Sequence, residues 1–217
     1  MKEGERGKFI VIEGIGGSGK GEQIKRAKGL LRRNGFQVIS TREPGGIKPS
    51  EEIRQLIFTL RDKKLIGPEG QMVLFFAARM LWLNHKVAPK IDKGISILTD
   101  RCHTSTGAYQ GYAEGGSQEQ ILAIADVVLG KYKPDAVVFL DISRETSMLR
   151  RGKNVYGDPF DKETPEYFER LIAGYREMAS TDWGGLRWFV VNGEPAPETV
   201  SSSVAKALEE IFEKKLR

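Results

Sequence analysis

A glycine-rich turn, set between an apolar β-branched run and a helix-like segment, constrains this chain more than any other feature. The run Phe9–Ile12 leads into Glu13-Gly14-Ile15-Gly16-Gly17-Ser18-Gly19-Lys20-Gly21, with the spacing G-x-x-x-x-G-K at Gly14, Gly19 and Lys20. Glycines let the backbone curl so that successive N–H groups point inward around phosphate oxygens. A helix starting near Lys20 turns the positive end of its dipole on the same spot, and Lys20 brings a full charge to the outer phosphates. The strand-before, helix-after context separates this reading from a ligand-free glycine turn. The residues Gly14, Ile15, Gly16, Gly17, Ser18, Gly19, Lys20 and Gly21 are therefore the expected ATP-phosphate cradle. A P-loop usually follows its lysine with Ser or Thr as a Mg²⁺ ligand; Gly21 stands there instead, which leaves phosphates and water to hold the metal.

Further short apolar runs recur at Phe36–Ser40, Ile95–Thr99, Ala136–Leu140 and Trp188–Val191. Their near-continuous hydrophobicity is how strands covered on both faces read. Helical patterns lie between and after them, at Lys20–Arg33, Ser50–Leu60, Glu69–Ile91, Gln118–Leu129, Ser143–Arg151, Pro165–Ala179 and Ala196–Glu213. This alternation predicts an α/β fold, a mostly parallel sheet with helices on both faces. Right-handed crossovers then gather the strand C-termini at one edge, where ligands bind. No repeat or linker-like break interrupts residues 1–217, which read as one domain.

Composition excludes several classes. One cysteine, Cys102, allows no internal disulfide, and the two histidines, His85 and His103, make no metal cluster. No apolar run reaches the ~18–20 residues of a membrane span, and the charged start lacks a signal-peptide core, so a cytoplasmic location is expected. The net charge of +5 suits nucleotides but is spread among acids, so it speaks only weakly for nucleic acid. A guanine-binding Asn/Thr-Lys-x-Asp signature is absent, which argues against a GTPase switch.

Three further motifs narrow the function. Thr41-Arg42-Glu43-Pro44-Gly45-Gly46 follows the second run, and Leu74-Phe75-Phe76-Ala77-Ala78-Arg79 lies on a helix. Asp100-Arg101-Cys102 follows the third run and leads to Ser105-Thr106-Gly107-Ala108-Tyr109-Gln110-Gly111. This ordered set, spread from about Phe9 to Ala179, resembles the thymidylate kinase (dTMP kinase) family of nucleoside monophosphate kinases. The resemblance implies a three-layer P-loop kinase fold with a five-stranded parallel sheet. It also implies transfer of the ATP γ-phosphoryl group to dTMP with Mg²⁺, and a homodimer packed through helices such as Glu69–Ile91.

By the same resemblance, Lys20 stabilises the migrating phosphoryl group, and Arg101 and Arg54 hold the acceptor phosphate. Phe75 stacks on the base and Arg79 bonds its edge. Thr106 and Gln110 contact the base or its surroundings, Tyr109 crowds the sugar, Glu43 lies near the acceptor, and Asp100 addresses the metal. A lid is expected over 148–161, with Arg150 and Arg151 as charge stabilisers. The pattern departs at Gly16, where the family usually has an acid, and at Asp158-Pro159-Phe160-Asp161, where an arginine is missing. Two alternatives stay open: a catalytically impaired nucleotide-binding module, and a kinase for another pyrimidine monophosphate.

Overall fold

The structure, a computed structural model, describes residues 6–152, 160 and 163–217. Five strands, β1 (Phe9–Glu13), β2 (Val38–Arg42), β3 (Ser96–Asp100), β4 (Ala136–Asp141) and β5 (Trp188–Asn192), form one sheet in the order β2-β3-β1-β4-β5. Every neighbouring pair is parallel, with Phe9 opposite Ile97 and Ile10 opposite Ala136 around the central strand. The sheet is thus wholly parallel, and each expected run became a strand whose C-terminal bound lies one or two residues further on.

All five residues of β1 are buried, and strand alternation divides them. Phe9 and Val11 enter one core with Phe76, Trp82, Phe139 and Tyr175. Ile10 and Ile12 enter the other with Leu31, Leu140, Val204 and Leu208. The helices α1 (Lys20–Arg33) and α9 (Pro197–Phe212) cover the second face. The first is covered by α2 (Lys48–Asp62), α3 (Pro68–Trp82), α6 (Gln118–Leu129) and α8 (Pro165–Ser180).

Two helical expectations change. The stretch 69–91 is not one α-helix: α3 ends at Trp82, a π-helical turn covers Leu83–Val87, and a short α4 (Ala88–Ile91) follows. Pro89 lacks an N–H and its ring crowds the carbonyl one turn back, so the wider turn absorbs the clash. A helix absent from the sequence reading also appears, with α5 (His103–Thr106) continuing into a π-helical segment, Gly107–Ala113. Two glycines, Gly107 and Gly111, hid its period. Between β4 and α8 lies α7 (Arg144–Arg151). Of the expected lid, Lys153, Asp158, Pro159 and Asp161 lie outside the described residues.

Candidate active site

The glycine-rich turn leaves β1 at the carboxyl edge of the sheet and enters α1 through Gly19, whose φ of 88° is left-handed. Gly17, at φ 77°, has a second constraint: a Cβ there would lie 2.8 Å from the Ser147 carbonyl oxygen. The start of α7 therefore rests on the loop, and Ser147 Oγ donates to the Gly16 carbonyl at 2.7 Å. Lys20 is buried, and its Nζ donates to the carbonyls of Gly14 (2.9 Å) and Ile15 (3.1 Å). Its charge thus sits beneath the curl of the backbone. A Cβ at Gly21 would meet nothing within 4 Å, so nothing stands where a P-loop hydroxyl is usual.

One cavity gathers the residues expected to hold the acceptor. Arg54, Asp100, Arg101 and Tyr109 line it together with Glu43, Phe75, Arg79, Thr106 and Gln110. They come from α2, α3, the ends of β2 and β3, and the 103–113 helix, which is why motifs about 70 residues apart in sequence converge.

Arg101 has the left-handed φ of 69°, uncommon for a residue with a side chain. Its guanidinium donates to Ser105 Oγ (3.1 Å), Tyr175 OH (3.2 Å) and Tyr109 OH (3.0 Å). Behind it lies a group that the motif reading missed. Glu13, fully buried at the end of β1, accepts from Tyr175 OH (2.8 Å), Thr104 Oγ1 (2.6 Å) and Ser105 Oγ (2.9 Å). It also accepts from the Cys102 N–H at 3.2 Å and stands 3.9 Å from Arg101. Burial and the Glu13 carboxylate hold the Tyr175 hydroxyl well above its usual pKa, so it stays a donor. A charged residue at the end of an otherwise apolar strand was the one available signal for Glu13.

In the same cavity, Arg79 is almost fully buried. Its Nη2 donates to Glu43 Oε2 (2.8 Å) and Thr106 Oγ1 (3.1 Å), and its guanidinium lies 4.5 Å from the Phe76 ring centroid. Its Nε and Nη1 have no hydrogen-bond partner among the described residues. Burial pushes the Glu43 carboxyl up, and Arg79 pulls against that. Buried donors left open beside a cavity are poised for a ligand acceptor. Phe160, also unforeseen as a wall, packs its ring 5.4 Å from Tyr109 and 6.4 Å from Phe75.

Asp100 reaches the cavity from β3 with Oδ1 buried and without a hydrogen-bond partner among the described residues. Arg54 stacks over Phe58 at 4.3 Å, and Glu51 accepts from Arg42 and from the Gly46 N–H at 3.2 Å. The two lid arginines go elsewhere. Arg150 donates to the carbonyls of Gly193 (2.9 Å) and Glu194 (2.8 Å), and Arg151 lies over Phe168 with Nε 3.3 Å from the Ser147 carbonyl. Burial pushes the Cys102 thiol up to about 12, so it is no nucleophile. No cluster of three His, Cys, Asp or Glu able to hold a metal occurs among the described residues. No helix there is long and apolar enough to cross a membrane.

A family model described as thymidylate kinase matches residues 12–204. The chain belongs to the thymidylate kinase family. Among similar proteins, a thymidylate kinase of Teredinibacter turnerae is 36% identical over 94% of this chain and 98% of its own. One of Hahella chejuensis is 34% identical over 94% and 97%. The crystal structure of thymidylate kinase from Ehrlichia chaffeensis superposes with a TM-score of 0.75 at 25% identity, covering 94% of this chain and 99% of that one. The five-stranded parallel sheet flanked by helices is therefore the fold of this family as well as its sequence pattern.

Proposed function

We infer that the protein is an ATP-dependent dTMP kinase, transferring the γ-phosphoryl group of ATP to dTMP to give dTDP. The observation that carries this reading is Arg79, with two buried nitrogens that have no hydrogen-bond partner among the described residues, in the same cavity as the Arg101 cation. One answers a base carbonyl, the other an acceptor phosphate.

The mechanism asks the protein for position and charge rather than covalent help. Amides of the loop from Gly14 to Gly21 hold the donor phosphates, and Lys20 supplies the cation beside them. Arg101, with Arg54, grips the acceptor phosphate. Two cations offset the repulsion between the approaching phosphates. Phe75 stacks on the pyrimidine, Thr106 and Gln110 face it, Tyr109 crowds the sugar, and Glu43 holds Arg79. The orphaned Asp100 oxygen fits Mg²⁺ held through phosphates and water, which suits a loop with Gly21 in place of a hydroxyl. When bound, Mg²⁺ neutralises phosphate charge. Arg151, whose stem lies beside Gly17, serves the donor side from α7, and Arg150 joins it on leaving the Gly193 and Glu194 carbonyls.

We read residues 1–217 as one kinase domain acting in the cytoplasm as a homodimer. Leu56 on α2 and Val73 and Met80 on α3 are exposed apolar residues suited to a self-interface. A coupled ADP-release assay with dTMP, dUMP, UMP, CMP and dGMP tests the function. Turnover is expected with dTMP and Mg²⁺ and is lost with a chelator; no turnover with any acceptor rejects the reading.

A further inference from the structure

Arg61, at the end of α2, belongs to a nearly buried cluster beside the cavity. Its Nη1 donates to Gln71 Oε1 at 2.9 Å and to Glu114 Oε1 at 2.5 Å, and its Nη2 donates to Glu163 Oε1 at 2.5 Å. Its guanidinium also faces the Phe160 ring at 4.0 Å. Two carboxylates and an aromatic face thus hold one cation in one orientation.

A guanidinium donates only and never accepts. The Gln71 atom that meets Arg61 must therefore be the carboxamide oxygen. That same oxygen lies 3.3 Å from the Gln110 carboxamide, so Gln110 must turn its Nε2 toward it. Gln110 lines the cavity, and its Oε1 receives no hydrogen bond from a described residue. The oxygen is left for a ligand. Arg79, with its open N–H groups, contributes donors to the same cavity. A cavity that offers both a donor and an acceptor complements a pyrimidine with a carbonyl at C4 and a hydrogen on N3. It mismatches cytosine, which has an amino group at C4 and a bare N3.

We propose that Arg61 and Gln71 form a relay that locks the Gln110 amide with its oxygen toward the base, and so select an N3–H pyrimidine over cytosine. Both are positioning residues, acting through Gln110. The proposal rests on the acceptor-site reading above. An amide flip exchanges oxygen and nitrogen with little change of shape, so Gln110 by itself accommodates either base. The Arg61 charge makes one orientation costly, because the flipped amide would set Gln110 Oε1 against Gln71 Oε1.

The test is the ratio of kcat/KM for dTMP to that for dCMP, with dUMP as a control that shares N3–H with dTMP. Gln71→Met and Gln71→Leu remove the acceptor and are made in parallel, so that a folding failure in one leaves the other to be read. Either is expected to lower the dTMP:dCMP ratio about tenfold, the scale of one hydrogen bond, with the dTMP:dUMP ratio unchanged. Gln71→Glu keeps an acceptor facing Arg61 and is expected to restore the selectivity. A Gln71→Met, Gln110→Met double variant should have the same ratio as Gln110→Met alone. An unchanged ratio in the Gln71 variants overturns the relay. So does an equal loss for all three acceptors, which marks mere loosening of the pocket. A wild type that turns over dCMP as well as dTMP removes the selectivity itself, and one inactive on dTMP refutes the acceptor reading along with it.

Discussion

At the residue scale, Glu13 shows how much of the proposed acceptor site is built behind the groups that line the cavity. A buried carboxylate with this many donors is organised as an acceptor throughout. Glu13→Gln replaces one of its oxygens with a donor facing the Tyr175 and Ser105 hydroxyls. The Arg101 side chain then loses its orientation, and the KM for dTMP is expected to rise about tenfold while the KM for ATP stays within about twofold. Steady-state kinetics with each substrate varied in turn checks this, and equal changes in both constants would refute it. His103 makes a second residue-scale case. It is buried against Trp183, with ring centroids 5.6 Å apart, and burial, aided by the Arg79 and Lys133 charges, lowers its pKa to about 3. The unfolded chain binds a proton near pH 6.5 and the folded chain does not. Stability is therefore full above that pH and falls as the pH drops toward 3. The expected loss by pH 5 is about 2 kcal/mol, read as a fall in urea midpoint that His103→Gln flattens.

At the element scale, the site depends on how closely α8 crosses the 107–113 helical segment. A Cβ on Gly174 would lie 2.4 Å from Tyr112 Cβ, a separation that only glycine permits. The next residue on α8 is Tyr175, the donor to Glu13. Gly174→Ala should thus push the helices apart, costing about 1–3 kcal/mol and weakening dTMP binding through Tyr175. Thermal melts and acceptor titrations read the two effects separately; an unshifted Tm would show that the crossing relaxes freely. This contact also marks where the sequence was hard to read. Strands declared themselves as short continuous apolar runs, because both their faces are covered, and long amphipathic helices by periodicity, because each buries a regular face. The 103–113 helix did not, because its glycines serve close packing rather than helix propensity: Gly107 faces Met178 and Trp183, and Gly111 faces Gln118 and Ile121.

At the scale of the whole molecule, the same division holds. Phosphate loops and strand-end motifs carry local signatures, so the loop, Asp100 and Arg101 could be named from the chain alone. Glu13 with Tyr175, and Arg61 with Gln71, meet only after folding, and no local pattern announces such pairs. The apolar face of α2 and α3 belongs to this scale too. Val73→Asp places a charge on the exposed strip and should convert the proposed homodimer to a monomer in light scattering, with little change in Tm. A wild type already monomeric at micromolar concentration would refute that interface. The order of strands has its own consequence. The central strand, the first of the five in chain order, pairs only with segments near residues 97 and 136. With chain growth at roughly 5–20 residues per second, it waits for several seconds with both hydrogen-bonding edges unpaired, although α1 can already cover one of its faces. Translation stalled before Ser96 would leave it without a strand neighbour. This protein's need for a chaperone should therefore be greatest in the interval before β3 is made.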